Sequence, residues 1–394
     1  MNFELPEHVR QVADTVRRFV RSELLPLEKT VIRREAERGL ADTPIVPPEI
    51  GAELDRKARA LGLWGIDVPA EYGGQDLGAL VKCVVTEELK YSIVPFVLRP
   101  DSPNLYYLKQ CARGPQIERY LLPYAAGEKK SCLALTEAGA GSDAGAITMR
   151  AVRRGDQWVL NGSKVFISNA RSSDFIITMA VAETEAGERL GISAFLVDRD
   201  TPGLTIPGSY PTIGDYHPYE VHYDDVTVGN DQVLGELGKA MGPLQRRLGI
   251  RRAEIGARCV GLAQRCLDMM IEQARLRRTF GAPLADRQAV QWWIADTWQE
   301  IEAVRTLTYR LATRVDRGDD IKREASMVKI MGTEMIARVV DRAIQLFGGM
   351  GVSKELPLEY MYRMVRVYRI VEGPSEIHRS IIARDLLGRS GGGR

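Results

Sequence analysis

A short glycine-rich loop in the first half of the chain carries several groups that could bind a ligand. Residues 132–135 are apolar, and residues 136–143 then read Thr-Glu-Ala-Gly-Ala-Gly-Ser-Asp. The two glycines lack a Cβ, so the backbone can approach a flat or anionic ligand, and Thr136 and Ser142 add hydroxyl groups. The loop therefore indicates a ligand cradle, although an ordinary glycine turn between two strands has the same composition.

The spacing of the glycines excludes two familiar phosphate loops. A P-loop needs a Lys directly after its last glycine, and none follows Gly141. A dinucleotide fingerprint opens a helix, whereas Gly145 comes one residue too late and residues 146–160 alternate as strands do. A ligand of another kind is therefore expected.

Glu372 is a carboxylate that could transfer a proton, although taken alone it is more simply explained as a Glu at a helix start. It lies in the segment Tyr-Arg-Ile-Val-Glu-Gly at residues 368–373, beside apolar neighbours, and Gly373 allows a tight turn after it. A carboxylate in a dry, apolar site can serve as a general base if its pKa rises when substrate binds. The alternative is a Glu at a helix start that interacts with the helix dipole.

Composition limits the class of protein. A chain of 394 residues suggests two or three domains, and a net charge of +2 gives no case for nucleic acid. No apolar run approaches the roughly 20 residues that span a bilayer, and the N-terminus lacks the features of a secretory signal. The five cysteines and four histidines are dispersed, so we expect a cytoplasmic protein without a metal site.

The periodicity of apolar residues divides the chain into three parts. We predict an α+β multidomain protein with an N-terminal α-helical domain at 1–128, a middle β-barrel or sandwich at 129–235, and a C-terminal four-helix bundle at 236–394. Within them, Pro26 is expected to end or kink the first helix, and Asn161-Gly162 predicts a hairpin turn.

Several segments together resemble the acyl-CoA dehydrogenase family of FAD-dependent flavoproteins, in order and over residues 5–388. These segments are Thr136–Asp143, Asn161–Ser168, Arg277–Gln288, Gln345–Gly351 and Arg369–Arg379. The resemblance implies that FAD is held by residues from both the middle and the C-terminal domain. The implied set is Leu133, Leu135, Thr136, Gly141, Ser142, Phe166, Ile167, Ser168, Arg277, Thr279, Phe280, Gln288, Gln345, Gly349 and Glu376.

The resemblance also implies an assembly. In the family, the segments matching 277–288 and 345–349 reach the flavin from a neighbouring subunit, so at least a homodimer is expected, and a homotetramer is usual. Taken alone, Arg277 and its neighbour would be a solvated pair at a helix end, and Phe166 a strand core residue. Phe166 and Glu376 differ from the Trp and Gln that are common in the family.

The implied reaction converts an acyl-CoA thioester to its trans-2-enoyl-CoA. Glu372 would remove the pro-R α-proton while a β-hydride passes to flavin N5, and Ser142, Arg252 and Gly373 would contact the substrate. Some subfamilies carry the base near residue 251, which is Arg here, and Glu254 lies almost one turn further along the helix. Taken alone, Arg252 would be a helix-surface residue.

Several alternatives stay open. Electrons are expected to pass to an electron-transfer flavoprotein, but an acyl-CoA oxidase, another flavin reaction such as nitroalkane oxidation or desulfination, or a non-catalytic family member would share this fold. The acyl group is not specified by the sequence. Arg99 or Asp101 could indicate a polar acyl chain near the floor of the pocket, or simply belong to a solvated loop.

Overall fold

The computed structural model describes residues 4–100, 103–214 and 216–388, so Asp101 lies outside the described residues. The helices are α1 (Glu7–Phe19), α2 (Glu28–Arg38), α3 (Pro48–Ala60), α4 (Gly78–Leu89), α5 (Asn104–Cys111), α6 (Leu122–Ala125), α7 (Met241–Leu276), α8 (Gln288–Asp316), α9 (Lys322–Phe347), α10 (Pro357–Tyr368) and α11 (Ser375–Leu386). The strands are β1 (Ser131–Ala134), β2 (Arg150–Arg154), β3 (Gln157–Ile167), β4 (Phe175–Glu183), β5 (Arg189–Asp198), β6 (Leu204–Thr205), β7 (Tyr219–Gly229), β8 (Arg278–Thr279) and β9 (Ala282–Pro283).

The N-terminal helices bury the stripe that their sequence predicts. Helix α1 turns Val9, Val16 and Phe19 into the core, because residues three and four apart share one helix face. Pro26 does not end the helical path. A π-helical turn and a short 3₁₀ turn containing Pro26 lead directly into α2. Pro26 thus changes the helix type without ending the helix, because its missing N–H is tolerated in the first turn of the 3₁₀ segment.

The middle of the chain forms one seven-stranded mixed sheet. Its strand order is β1-β4-β2-β3-β7-β6, with β5 paired to β4. Strand β4 pairs in parallel with β1 and β2 and antiparallel with β5, and every residue from Phe175 to Ala182 is buried. The ends of β1 and β3 carry the segments predicted to bind the cofactor.

The hairpin predicted at Asn161-Gly162 is wrong. Strand β3 runs through both residues, and the chain reverses instead at residues 155–156, between β2 and β3. An Asn-Gly pair marks a hairpin only when its flanking stretches pair with each other, whereas both flanks here pair with β7. Gly162, with φ of 141°, occupies an irregularity in this pairing, where a Cβ would lie 2.9 Å from the Cγ of Met149.

The C-terminal part consists of long helices joined by short connections. Together with the N-terminal helices and the middle sheet, these helices confirm the predicted α+β fold class. Helix α7 packs along α8 and α9, and α10 and α11 pack on α9. Gly256 allows the close approach of α7 to α9, because a Cβ there would meet the Cγ1 of Val328 at 2.3 Å. Among the residues that the structure describes, no helix is both long and apolar enough to cross a membrane.

Candidate active site

Glu372 lies in a tight turn between α10 and α11. It has a φ of 56°, and Gly373 follows with a φ of 94°. Helix α11 begins only at Ser375, so Glu372 is not a helix-start residue. A left-handed conformation is unfavourable for a residue with a Cβ and indicates stored strain where surrounding contacts maintain it. The side chain is 20% exposed, so it lies mostly inside the protein.

Three donors hold the backbone of this turn in place. Arg252 Nε and His378 Nε2 donate to the carbonyl oxygen of Glu372 at 3.3 and 3.1 Å, and Lys329 Nζ donates to that of Gly373 at 2.6 Å. The Nδ1 of His378 bonds the Ser326 hydroxyl at 3.1 Å. The donors come from α7, α9 and α11, so packing of three helices fixes the direction of the Glu372 side chain.

Arginines dominate the electrostatics around Glu372. The Nη1 nitrogen of Arg247 lies 3.4 Å from both carboxylate oxygens of Glu372. Burial acts to raise the pKa of Glu372, but Arg247, Arg251 and Arg252 outweigh it, so the pKa is lowered. Within the chain itself, Glu372 is therefore held in its ionised form.

The rival carboxylate has another partner. Glu254 is buried on α7 and forms an ion pair with Arg251 at 2.6 Å. Arg252, which follows Arg251 on the same helix, is also buried rather than on the helix surface.

Arg99, the residue that could indicate a polar acyl chain, forms an ion pair with Asp55 at 3.7 Å.

A buried ion pair supports the glycine-rich loop. Lys164 Nζ donates to the Leu135 carbonyl at 3.0 Å and to Glu137 at 2.7 Å. Glu137 also accepts hydrogen bonds from the backbone N–H groups of Thr148 and Met149. Burial lowers the pKa of Lys164 to about 8, against the opposing effect of Glu137. The buried ion pair thus holds the start of the loop in place, while Gly141 and Ser142 are exposed.

The predicted cofactor edge connects the loop to the base. Val165 N–H donates to the Thr136 carbonyl at 2.9 Å, so the loop and the end of β3 lie side by side. Phe166 is exposed, with φ of 57°, and stacks on Tyr210 at 4.9 Å, whereas Ile167 turns into the core. The side chain of Ile167 is therefore not available to a ligand on this face.

Tyr216 links this edge to Glu372. Its hydroxyl bonds the Ser168 hydroxyl, and burial together with the nearby charge of Glu372 raises the pKa of Tyr216. Thr136, Phe166, Ser168 and Glu372 are thus brought into one region by hydrogen bonds, stacking and charge.

The other predicted cofactor residues face outward. Strands β8 and β9 form a hairpin whose tip is Phe280, which is 99% exposed. Two successive positive φ angles, 49° at Phe280 and 80° at Gly281, are typical of a tight two-residue hairpin turn. Thr279 is half-buried in this hairpin, as are Leu133 and Leu135 on the sheet. The remaining exposed members of the set are Arg277, Gln288, Gln345, Gly349 and Glu376.

Sequence reasoning missed the residues that hold the base. Asn104, Tyr216, Arg247, Lys329 and His378 come from separate parts of the chain, so no local motif unites them. One signal was readable: Lys329 falls on the apolar face of α9 that also carries Ala325 and Ile336, and a buried lysine needs a partner. Among the described residues, no group of three His, Cys, Asp or Glu side chains could hold a metal ion.

His378 gives a testable dependence of stability on pH. Burial, with Arg252 and Lys329 nearby, lowers the pKa of this fully buried imidazole to about 4. Between pH 4 and the unfolded value near 6.5, the unfolded chain binds more protons, so stability falls as pH falls, by up to about 1.4 kcal/mol per pH unit. Urea unfolding across this range should show a shallower slope for His378→Asn than for the wild type.

The control for that measurement is His8→Asn, which changes an exposed histidine on α1. It should keep the wild-type slope. Equal slopes for His378→Asn and the wild type would contradict the assignment of a neutral, buried His378.

Comparisons with known proteins agree along the whole chain. Models of the N-terminal, middle and C-terminal domains of acyl-CoA dehydrogenases match residues 6–128, 132–226 and 241–387. The chain is 46% identical to (R)-benzylsuccinyl-CoA dehydrogenase of Thauera aromatica, over 98% of this chain and 97% of that protein. It is 34% identical to the mitochondrial short-chain specific acyl-CoA dehydrogenase of Homo sapiens, over 98% and 91%.

A solved structure is similar to this chain over its full length. The complex of glutaryl-coenzyme A dehydrogenase with glutaryl-CoA superposes with a TM-score of 0.88 at 31% identity, covering 100% of this chain and 98% of that chain.

Proposed function

Because the chain belongs to the acyl-CoA dehydrogenase family of FAD-dependent oxidoreductases, we propose that Glu372 is the base of its acyl-CoA dehydrogenation. The observation that supports this most is the clamped turn. Arg252, His378 and Lys329 fix the backbone of Glu372 in a left-handed conformation, and its carboxylate is mostly buried yet ionised. A strained residue maintained by several donors is typical of active sites.

The residues of this chain would act as follows. Glu372 takes the α-proton of the thioester, and its backbone N–H stabilises the charge that develops on the thioester oxygen. When bound, FAD supplies the acceptor for the hydride that leaves the β-carbon. Loss of the α-proton and the β-hydride would leave a C=C bond between the α- and β-carbons, which gives the trans-2-enoyl-CoA, and an electron-transfer flavoprotein would be the final acceptor of the electron pair.

The middle sheet suits a flavin. The exposed face of Phe166 offers an aromatic surface, and the exposed glycine-rich loop beside it offers backbone N–H groups. Thr136 and Ser168 would add hydroxyl groups at the ring edge, and Gly141 and Ser142 would contact the pyrophosphate.

The exposed hairpin suits a site completed by a second copy of the chain. A tight turn that presents a fully exposed Phe280 close to Arg277 in sequence has the composition expected for contact with an adenine diphosphate. We therefore propose a homotetramer in which Arg277, Gln288 and Gln345 of one subunit contact the FAD of its neighbour.

The names of two relatives support a proposal for the substrate class. The benzylsuccinyl and glutaryl groups named in two of them are both diacid residues, with one carboxyl group in the thioester and one free. The arginines beside Glu372 favour such a substrate over an unsubstituted short acyl chain. We propose an aryl-substituted dicarboxylic acyl group of the benzylsuccinyl type.

Anaerobic mixing of the purified flavoprotein with a panel of acyl-CoAs tests this function. The flavin absorbance should be lost with benzylsuccinyl-CoA, and lost more slowly or not at all with butyryl-CoA. Absence of bleaching by every member would refute dehydrogenation. Rapid peroxide formation in air without another acceptor would favour an oxidase, and bleaching by butyryl-CoA alone would refute the substrate class.

A further inference from the structure

Arg247 makes a poor ion pair with the carboxylate that it faces. Its side chain is only 10% exposed, and its Nη1 nitrogen lies 3.4 Å from each carboxylate oxygen of Glu372. Well-formed guanidinium–carboxylate bonds are about 2.7–2.9 Å long and often paired. Its Nε is oriented separately, by a 3.2 Å hydrogen bond to Asn104 Oδ1 on α5. The guanidinium is thus held in place, but Glu372 does not satisfy it fully.

The local charges leave room for one more anion. Arg247, Arg251 and Arg252 all act on Glu372, and Lys329 lies against the next peptide group. The carboxylates facing them are Glu372 itself, Glu254, which bonds Arg251 at 2.6 Å, and Glu334, which acts on Lys329 but also forms an ion pair with Arg369 at 3.0 Å. Removal of charged groups from water is costly unless opposite charges compensate for them.

A contact with Arg247 alone would weaken Glu372 as a base. A guanidinium beside a carboxylate stabilises its ionised form and opposes the uptake of a proton. A second carboxylate that bound Arg247 would weaken this effect and would also supply the missing negative charge.

We propose that Arg247 binds a free carboxylate of the acyl group, and that this contact frees Glu372 to take the α-proton. This inference rests on the proposed function, since it takes Glu372 as the base. The position of the carboxylate follows from the geometry. Because Arg247 lies next to the base, and the base must reach the α-hydrogen, the carboxylate belongs a few bonds from the α-carbon, as in a succinyl group, and not at the end of a long chain.

Binding and reduction assays on Arg247→Gln test the inference. The ligands are benzylsuccinyl-CoA and a matched acyl-CoA in which a methyl group replaces the free carboxylate. The variant should bind benzylsuccinyl-CoA about 10–100-fold more weakly, which corresponds to loss of a hydrogen-bonded charge. It should bind the methyl analogue as the wild type does, because that ligand has no free carboxylate for the guanidinium to contact.

Two further variants make the result specific. Arg247→Lys keeps the charge without the planar fork, and should lose less affinity for benzylsuccinyl-CoA than Arg247→Gln. Arg246→Gln removes the same charge from the preceding residue, which points about 100° away around α7, and should keep the wild-type preference.

The outcomes separate this inference from the proposed function. Equal affinity losses for both ligands, or no loss for either, would overturn the role of Arg247 while wild-type bleaching by benzylsuccinyl-CoA still supported the function. If no acyl-CoA bleached the wild-type flavin, the function itself would fail. Unchanged binding of the methyl analogue also shows that the variant is folded.

Discussion

Glu372→Gln should slow acyl-CoA dehydrogenation by about 10²–10⁴-fold, the usual contribution of a general base. The amide has nearly the same shape but cannot accept the α-proton. The turn should persist, because Arg252, His378 and Lys329 contact backbone carbonyl groups and not the side chain that changes. Flavin content and acyl-CoA affinity should therefore stay close to those of the wild type, while the rate of flavin reduction collapses.

Glu254→Gln is the matched control for that experiment. Glu254 is a buried carboxylate on α7, and it forms an ion pair with Arg251. Its variant should keep most of the dehydrogenase activity. The opposite pattern, with an inactive Glu254→Gln and an active Glu372→Gln, would move the base to α7.

Lys164→Met should lower the free energy of unfolding by about 3–5 kcal/mol, as expected when one partner of a buried ion pair is removed. Lys164 is fully buried, and its ammonium group joins Glu137 to the Leu135 carbonyl. Burial alone raises the pKa of Glu137, but Lys164 and the Thr148 amide outweigh it and lower the pKa. Without Lys164, the carboxylate stays buried with only part of its compensation, so urea unfolding should occur at lower denaturant concentration.

Two variants test the cause of that loss. Lys239→Met breaks an exposed ion pair with Glu236 and should change stability little. Adding Glu137→Gln to Lys164→Met should restore part of the lost stability, because no unpaired charge remains. A Lys164→Met protein as stable as the wild type would contradict the role of this pair in supporting the loop.

Much of the fold could be predicted from the sequence. Long, nearly proline-free apolar stripes predicted α7, α8 and α9, and β-branched runs predicted β4 and β5. The hairpin at Asn161-Gly162 was not predicted correctly, because the choice between a turn and a bulge depends on β7, some 60 residues later. Local propensity cannot report a partner strand that is distant in sequence.

The candidate active site was likewise only partly predictable from the sequence. Glu372 and the loop at Thr136 occur in recognisable segments, so their candidacy was visible. The residues that give Glu372 its conformation and charge, such as Arg247 on α7 and Lys329 on α9, are isolated polar residues within helices. Only the packing of those helices brings them to the turn, where Arg247 faces the Glu372 carboxylate and Lys329 donates to the carbonyl group of Gly373.

The role of Glu372 can be tested most directly with benzylsuccinyl-CoA that carries deuterium at its α-carbon. In anaerobic rapid mixing, the wild type should reduce its flavin severalfold more slowly with the deuterated substrate, because the α-hydrogen leaves as a proton in the same reaction that reduces the flavin. Glu372→Gln should show almost no reduction with either substrate. Reduction of the variant at the wild-type rate, with the same isotope effect, would contradict the account.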